Sequence, residues 1–200
     1  MTTQASHRGF SLIELLTVIA VLGILAAIII PTVSGARDSA NRAATKAQFN
    51  QWAAAMELYR QEYGFYPDIA LNGKVDTERF AAELTGQTLA GDSVRGSTNW
   101  GNRKGLSFYA LSVGDLDEAG AELVDPFGNF DIAIRVDSNR DGRIDSSDTG
   151  SWVAVDGAER AGLSPVALPE AIPTNGVRAG VVFYSAGRGR DETDLVLSWR

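Results

Sequence analysis

From Phe10 to Pro31 the chain reads FSLIELLTVIAVLGILAAIIIP, apolar except for Ser11, Glu14 and Thr17. At about 1.5 Å rise per residue, a helix over this stretch matches the roughly 30 Å hydrocarbon core of a bilayer. Beyond Pro31 the pattern changes. Ala36, Ala40, Ala43, Ala44, Ala47, Phe49, Trp52, Ala53, Met56, Leu58 and Tyr59 are interspersed with Arg37, Asp38, Arg42, Lys46, Gln48 and Glu57, which predicts an amphipathic continuation whose apolar stripe packs on a folded domain. Pro31 lacks an N–H and clashes with the preceding turn, and Gly23 and Gly35 lower the cost of unwinding, so a bend or local melting is expected there. The helix is expected to stop at Tyr63, because Gly64 suits its cap and Pro67 forbids smooth continuation.

Residues 77–84 predict a short helix with Phe80, Ala81 and Leu84 inward, and residues 86–104 a polar loop in which Trp100 is the large apolar side chain. Asp125-Pro126-Phe127-Gly128-Asn129 is a turn signature, and alternation through Phe130, Ile132, Ile134 and Val136 predicts a strand after it. Residues 152–155, 177–184 and 195–199 are further strand candidates. The expected fold is α+β, a long N-terminal helix packed on a small antiparallel sheet. Its segments are 1–9, a short polar and basic start; 10–31, the membrane half of the helix; 32–63, the amphipathic half; and 64–200, one globular β-rich region.

The net charge of −7 argues against nucleic acid as a partner, because a polyanion needs a concentrated basic face and the sequence contains none. Cysteine is absent, so disulfides contribute nothing to stability. The sole histidine, His7, lies ahead of the apolar run, and no nucleophile and base pair up in the sequence. The chain is not expected to be an enzyme.

A second chemical signal is Asp137-Ser138-Asn139-Arg140-Asp141-Gly142-Arg143-Ile144-Asp145-Ser146-Ser147-Asp148. Oxygen-bearing side chains recur at loop positions one, three, five and nine, glycine stands at the sharp turn at six, Ile144 anchors at eight and an acid closes the loop at twelve. Calcium, a hard ion, demands such a set of converging oxygens. The candidate ligands are Asp137, Asn139, Asp141, the backbone carbonyl of Arg143, Asp145 and Asp148. The segment resembles an EF-hand loop, and more closely its dockerin version, whose last ligand is also Asp, although no flanking EF-hand helices are evident. Alternatively, Arg140 and Arg143 neutralise the acids and the segment is a polar turn without metal.

The N-terminal order GFSLIELLTVIAVLGILAAIIIPTV resembles that of the type IV pilin and type II secretion pseudopilin superfamily. The resemblance implies cleavage after Gly9 by a prepilin peptidase, N-methylation of Phe10, an assembly role for Glu14 and a helix-loosening role for Pro31. The physics agrees: glycine leaves a scissile bond open, and His7 and Arg8 favour retention of the start on the cytoplasmic side. A lone carboxylate in hydrocarbon costs several kcal/mol unless paired or neutralised, and cleavage frees one amine, on Phe10, that an incoming subunit's Glu14 can face. Alternatively Glu14 snorkels to the interface.

Tyr63-Gly64-Phe65-Tyr66-Pro67 is similar to the G-x-Y-P passage of many pseudopilins, and Asp125–Asn129 to the D-P-W/F-G-N turn of the major type. Residues 184–194 resemble the major type's C-terminal calcium loop, written around S-x-G-x-D-G, but Arg188 and Arg190 intrude and leave Asp191, Glu192 and Asp194 as ligands of a possible second metal loop. The resemblance implies a structural subunit of a type II secretion pseudopilus or related filament, in the bacterial inner membrane with its globular part in the periplasm. Implied partners are the prepilin peptidase and N-methyltransferase, copies of itself, other pseudopilins and an inner-membrane assembly platform. The alternative is a membrane-tethered, calcium-dependent module binding protein or glycan, which never polymerises.

Overall fold

The computed structural model describes residues 11–200, apart from the side chains of residues 29–32. Gly9 and Phe10, and the side chain of Pro31, therefore lie outside the described residues. The fold is pilin-like α+β: a long N-terminal helix, α1 (Leu12–Tyr63), and a five-stranded antiparallel sheet. The chain divides into two compact units, residues 1–40 and 41–200.

In the first unit, α1 is apolar and every described side chain from residue 11 to 28 is exposed. Its helix assignment includes Pro31.

In the second unit the buried positions of α1 are Thr45, Gln48, Phe49, Trp52, Ala55, Met56 and Tyr59, which recur at three- and four-residue spacing along one face. This corrects the expected stripe. Ala43, Ala44 and Ala47 are exposed, and Leu58 is half exposed, whereas the polar Thr45 and Gln48 are covered. Gln48 is tolerated inside because its Nε2 donates to Asp115 Oδ1 and to the Val124 carbonyl, each at 3.0 Å. The helix ends as expected, with the Gly64 N–H donating to the Arg60 carbonyl and Gly64 at φ 83°.

The sheet is a meander of β1 (Ala70–Leu71), β2 (Lys74–Val75), β3 (Ala133–Val136), β4 (Val181–Ser185) and β5 (Val196–Leu197). Asn72 (φ 53°) and Gly73 (φ 80°) turn β1 into β2 in the two-residue left-handed turn that matches strand twist, a hairpin signal overlooked in the sequence. The short helix begins as expected, α2 (Thr77–Phe80) capped by Asp76, and continues as a π-helical turn, Ala81–Thr85.

One core joins Phe49, Trp52 and Met56 of α1 to Phe80, Ile132, Ile134 and Phe183. Trp52 meets Phe80 and Phe183 edge-on, at 5.0 and 5.6 Å between centroids. The other sheet face is also covered, with Ala133, Tyr184 and Leu197 packed against Val155, Leu163 and Ala171. β3 thus buries both faces, and Phe130, expected in the strand, lies ahead of it and is 69% exposed. Residues 152–155 form no strand among the described residues; Val155 makes only an isolated bridge to Leu163. The 177–184 candidate is shortened to β4, while Val177 bridges to Ile144.

Candidate functional site

At the start of α1 the Glu14 carboxylate turns back and accepts the Ser11 backbone N–H at 2.9 Å, while the Thr17 hydroxyl donates to the Glu14 carbonyl at 3.0 Å. Glu14 is thus half of a capping box and adds negative charge where the helix dipole favours it. The residues that follow supply a helix long and apolar enough to cross a membrane, with mean hydropathy 2.9 over its most apolar window.

The 137–148 loop is built from its own side chains. Asp137 Oδ1 accepts the N–H groups of Arg140 (2.6 Å) and Asp141 (3.2 Å), and its Oδ2 that of Gly142 (2.8 Å). Gly142 sits at φ 85°, where a side chain would be strained, so the sixth position needs glycine. Asp148 closes the loop: Oδ1 accepts from the N–H groups of Ser138 (2.7 Å) and Asn139 (3.2 Å), and Oδ2 from that of Asp145 (2.9 Å). Asn139 Nδ2 donates to Asp141 Oδ2 at 3.1 Å, Asp141 Oδ1 accepts the Arg143 N–H, and Asp145 Oδ1 accepts from Ser147. Ile144 is fully buried and bridges to Val177.

Burial pushes the Asp148 carboxyl upward, but its backbone donors more than offset this and hold it below the usual carboxylate range. The Ser147 hydroxyl and N–H likewise lower Asp145, with help from the Arg143 and Arg135 charges. Neither arginine of the loop pairs with its acids among the described residues: Arg140 donates to the Gly64 carbonyl and Arg143 to that of Asn175. Hard-oxygen donors are present in the right order, yet no three acidic side chains gather as a metal-holding group among the described residues.

The C-terminal loop distributes its acids differently. Asp191 caps the turn Glu192–Asp194 by accepting the Thr193 N–H, Glu192 pairs with Arg160 at 3.0 Å, and Asp194 pairs with Arg190 at 2.9 Å. The Arg190 contact leads in holding Asp194 below the usual carboxylate range. Each of the three acids nominated as a second metal loop thus has its own protein partner.

Three arrangements escaped the sequence. Arg42 reaches from α1 to the carbonyls of Thr193, Asp194 and Leu195, and clasps the C-terminal segment. Buried Glu83 takes the Tyr59 hydroxyl at 2.8 Å and the Gly101 N–H at 2.6 Å, which ties down the 86–104 loop. Asp125, in the expected turn, is buried and accepts from the Ser185 hydroxyl (2.6 Å), Asn129 Nδ2 (3.0 Å) and the N–H groups of Phe127 and Asn129. Burial raises its carboxyl above the ordinary value, although these donors oppose the shift. Only the turn motif signalled any of this.

A helix clad in apolar side chains and a small sheet packed on an amphipathic helix define a pilin-like protein. The prokaryotic N-terminal methylation motif matches residues 4–30. The chain is 34% identical to the type II secretion system core protein G of Klebsiella michiganensis and 39% identical to that of Pseudomonas aeruginosa, each over 64 residues that cover 32% of this chain and 45% of the relative. It is 42% identical over 59 residues to the type IV wide pilus major component PilA4 of Thermus thermophilus, covering 30% of this chain and 45% of that protein. No solved structure matches. The chain is similar to type II secretion system core proteins and a type IV pilus component, on matches that span less than half the length of these relatives. The methylation motif ends well before the 137–148 loop and lends it no support.

Proposed function

We propose that the chain is a structural subunit of a type II secretion pseudopilus or related type IV filament, cut after Gly9 and assembled through α1. The reading is carried by the methylation motif over residues 4–30, which takes in the apolar start of α1, whose described side chains from residue 11 to 28 are exposed. A prepilin peptidase and N-methyltransferase would release and methylate Phe10. The protein would then sit in the inner membrane as a single-pass subunit with residues 64–200 in the periplasm, and an assembly platform would add it to copies of itself and other pseudopilins.

On this reading Glu14 exchanges the Ser11 N–H for the Phe10 amine of a neighbouring subunit, which neutralises the carboxylate and sets register. Glu14→Ala is therefore expected to abolish incorporation into filaments in cells that carry the processing and assembly machinery, while cleavage continues. Undiminished incorporation would overturn charge registration.

We also propose that the 137–148 loop takes calcium through Asp137, Asn139, Asp141, the Arg143 carbonyl, Asp145 and Asp148, and that the ion draws these oxygens together. Bound metal would stabilise the folded state by mass action. Calorimetry of the full chain in detergent micelles, chelated beforehand, is expected to give saturable calcium heat and a raised melting temperature. Absence of both would remove calcium from the account. A tethered binding module that never polymerises fits the same loop, and the Glu14 assay separates the two readings.

A further inference from the structure

We propose that a cleft beside β3, floored by Arg135, binds a carboxylate presented by a polypeptide. Arg135 is only 5% exposed, yet it forms no ion pair among the described residues. Its Nη2 donates to the Asp145 carbonyl at 3.0 Å, its guanidinium lies 5.1 Å from the centroid of the Trp152 ring, and its Nε is buried without any hydrogen-bond partner. A carbonyl and an aromatic face compensate a guanidinium only in part, and a buried cation without a directly paired anion is costly. The carboxylate of Asp145 is close enough for the Arg135 charge to help lower its pKa, yet the two form no ion pair among the described residues, and its Oδ1 is engaged by Ser147.

The position opens on space. Arg135 lines a cleft of ≈ 620 Å³ whose walls include Ser146, Ser151, Trp152, Ile172 and Thr174. That volume suits one or two residues of a peptide. Hydroxyls beside the cation supply further donors, while Trp152 and Ile172 suit the aliphatic part of a ligand. A singly charged, planar carboxylate matches a guanidinium better here than a multiply charged anion would, because Asp145 is on the same wall and the chain carries a net charge of −7. The site lies within the second compact unit, residues 41–200.

The test is a nuclear magnetic resonance titration of the 15N-labelled full chain in detergent micelles. It follows the Arg135 Nε–H and the Trp152 indole N–H, with Trp52, Trp100 and Trp199 as internal controls. N-acetylglycine presents a terminal carboxylate, N-acetylaspartate α-methylamide a side-chain carboxylate, and N-acetylglycinamide neither. Saturable shifts at Arg135 and Trp152 with a carboxylate, and none with the neutral amide, are expected; the tighter carboxylate identifies the source. Arg135→Gln, checked for folding by circular dichroism, should weaken binding about tenfold or more, as loss of a charge-assisted hydrogen bond implies. If that variant does not fold, Thr174→Glu, which adds a competing acid on the rim, should weaken binding instead. The proposal is overturned by no saturable shift with either carboxylate, by equal shifts with the amide, or by unchanged affinity in the folded variant.

Discussion

Glu14, Asp125 and Asp148 are three acids with different surroundings. Glu14 was legible because an acid inside an apolar run is costly, but its bond to Ser11 depends on where the helix begins. Asp125 was legible as a turn residue only; its burial against Ser185 requires the β4 segment to arrive beside it, which no local pattern encodes. The pH response of the two buried acids has opposite sign. The Asp125 carboxyl is raised, so its contribution is full below the unfolded value and is lost as pH rises through the folded one. Asp148 is lowered, so its contribution is present above the unfolded value of about 3.9 and is lost as pH falls through the folded one. Asp148→Asn is expected to flatten the fall of melting temperature on acidification below about pH 4, measured with chelator present. An unaltered acid limb would contradict the role given to its backbone donors.

Among elements, α1 was read most fully and the strands least. Periodicity exposed its aromatic positions, but small alanines fit either face, and Thr45 and Gln48 are inside because of partners elsewhere in the chain. β3 was recognised by one alternating face; its other face is covered by segments without periodicity, around Val155 and Leu163. The Asn72-Gly73 hairpin is a local signal that length alone obscured, since each strand has two residues. Arg42 holds the segment before β5 through three carbonyls. Arg42→Ala should speed amide hydrogen exchange in residues 193–197 and leave the Trp52 core protected. Equal exchange in both proteins would mean that the clasp adds no local stability.

At the level of the whole molecule, a membrane-competent helix and a folded unit share one chain, and the sequence carries them in different languages. The first is written in composition and order, so Gly9, Phe10, Glu14 and Pro31 could be nominated directly. The second depends on long irregular excursions, chiefly 86–130 and 137–180, whose places are fixed by buried polar contacts such as Glu83 with Gly101 and Arg135 with Asp145. Those contacts join residues 18 and 10 apart, spacings that belong to no helix or strand repeat, and leave no periodic trace. The central claim, entry into the prepilin pathway, is tested most directly by intact mass and N-terminal sequencing of the full chain expressed with an active prepilin peptidase. The account requires a product that begins at N-methylated Phe10; a chain still beginning at Met1, beside a control prepilin that is cut, would contradict it.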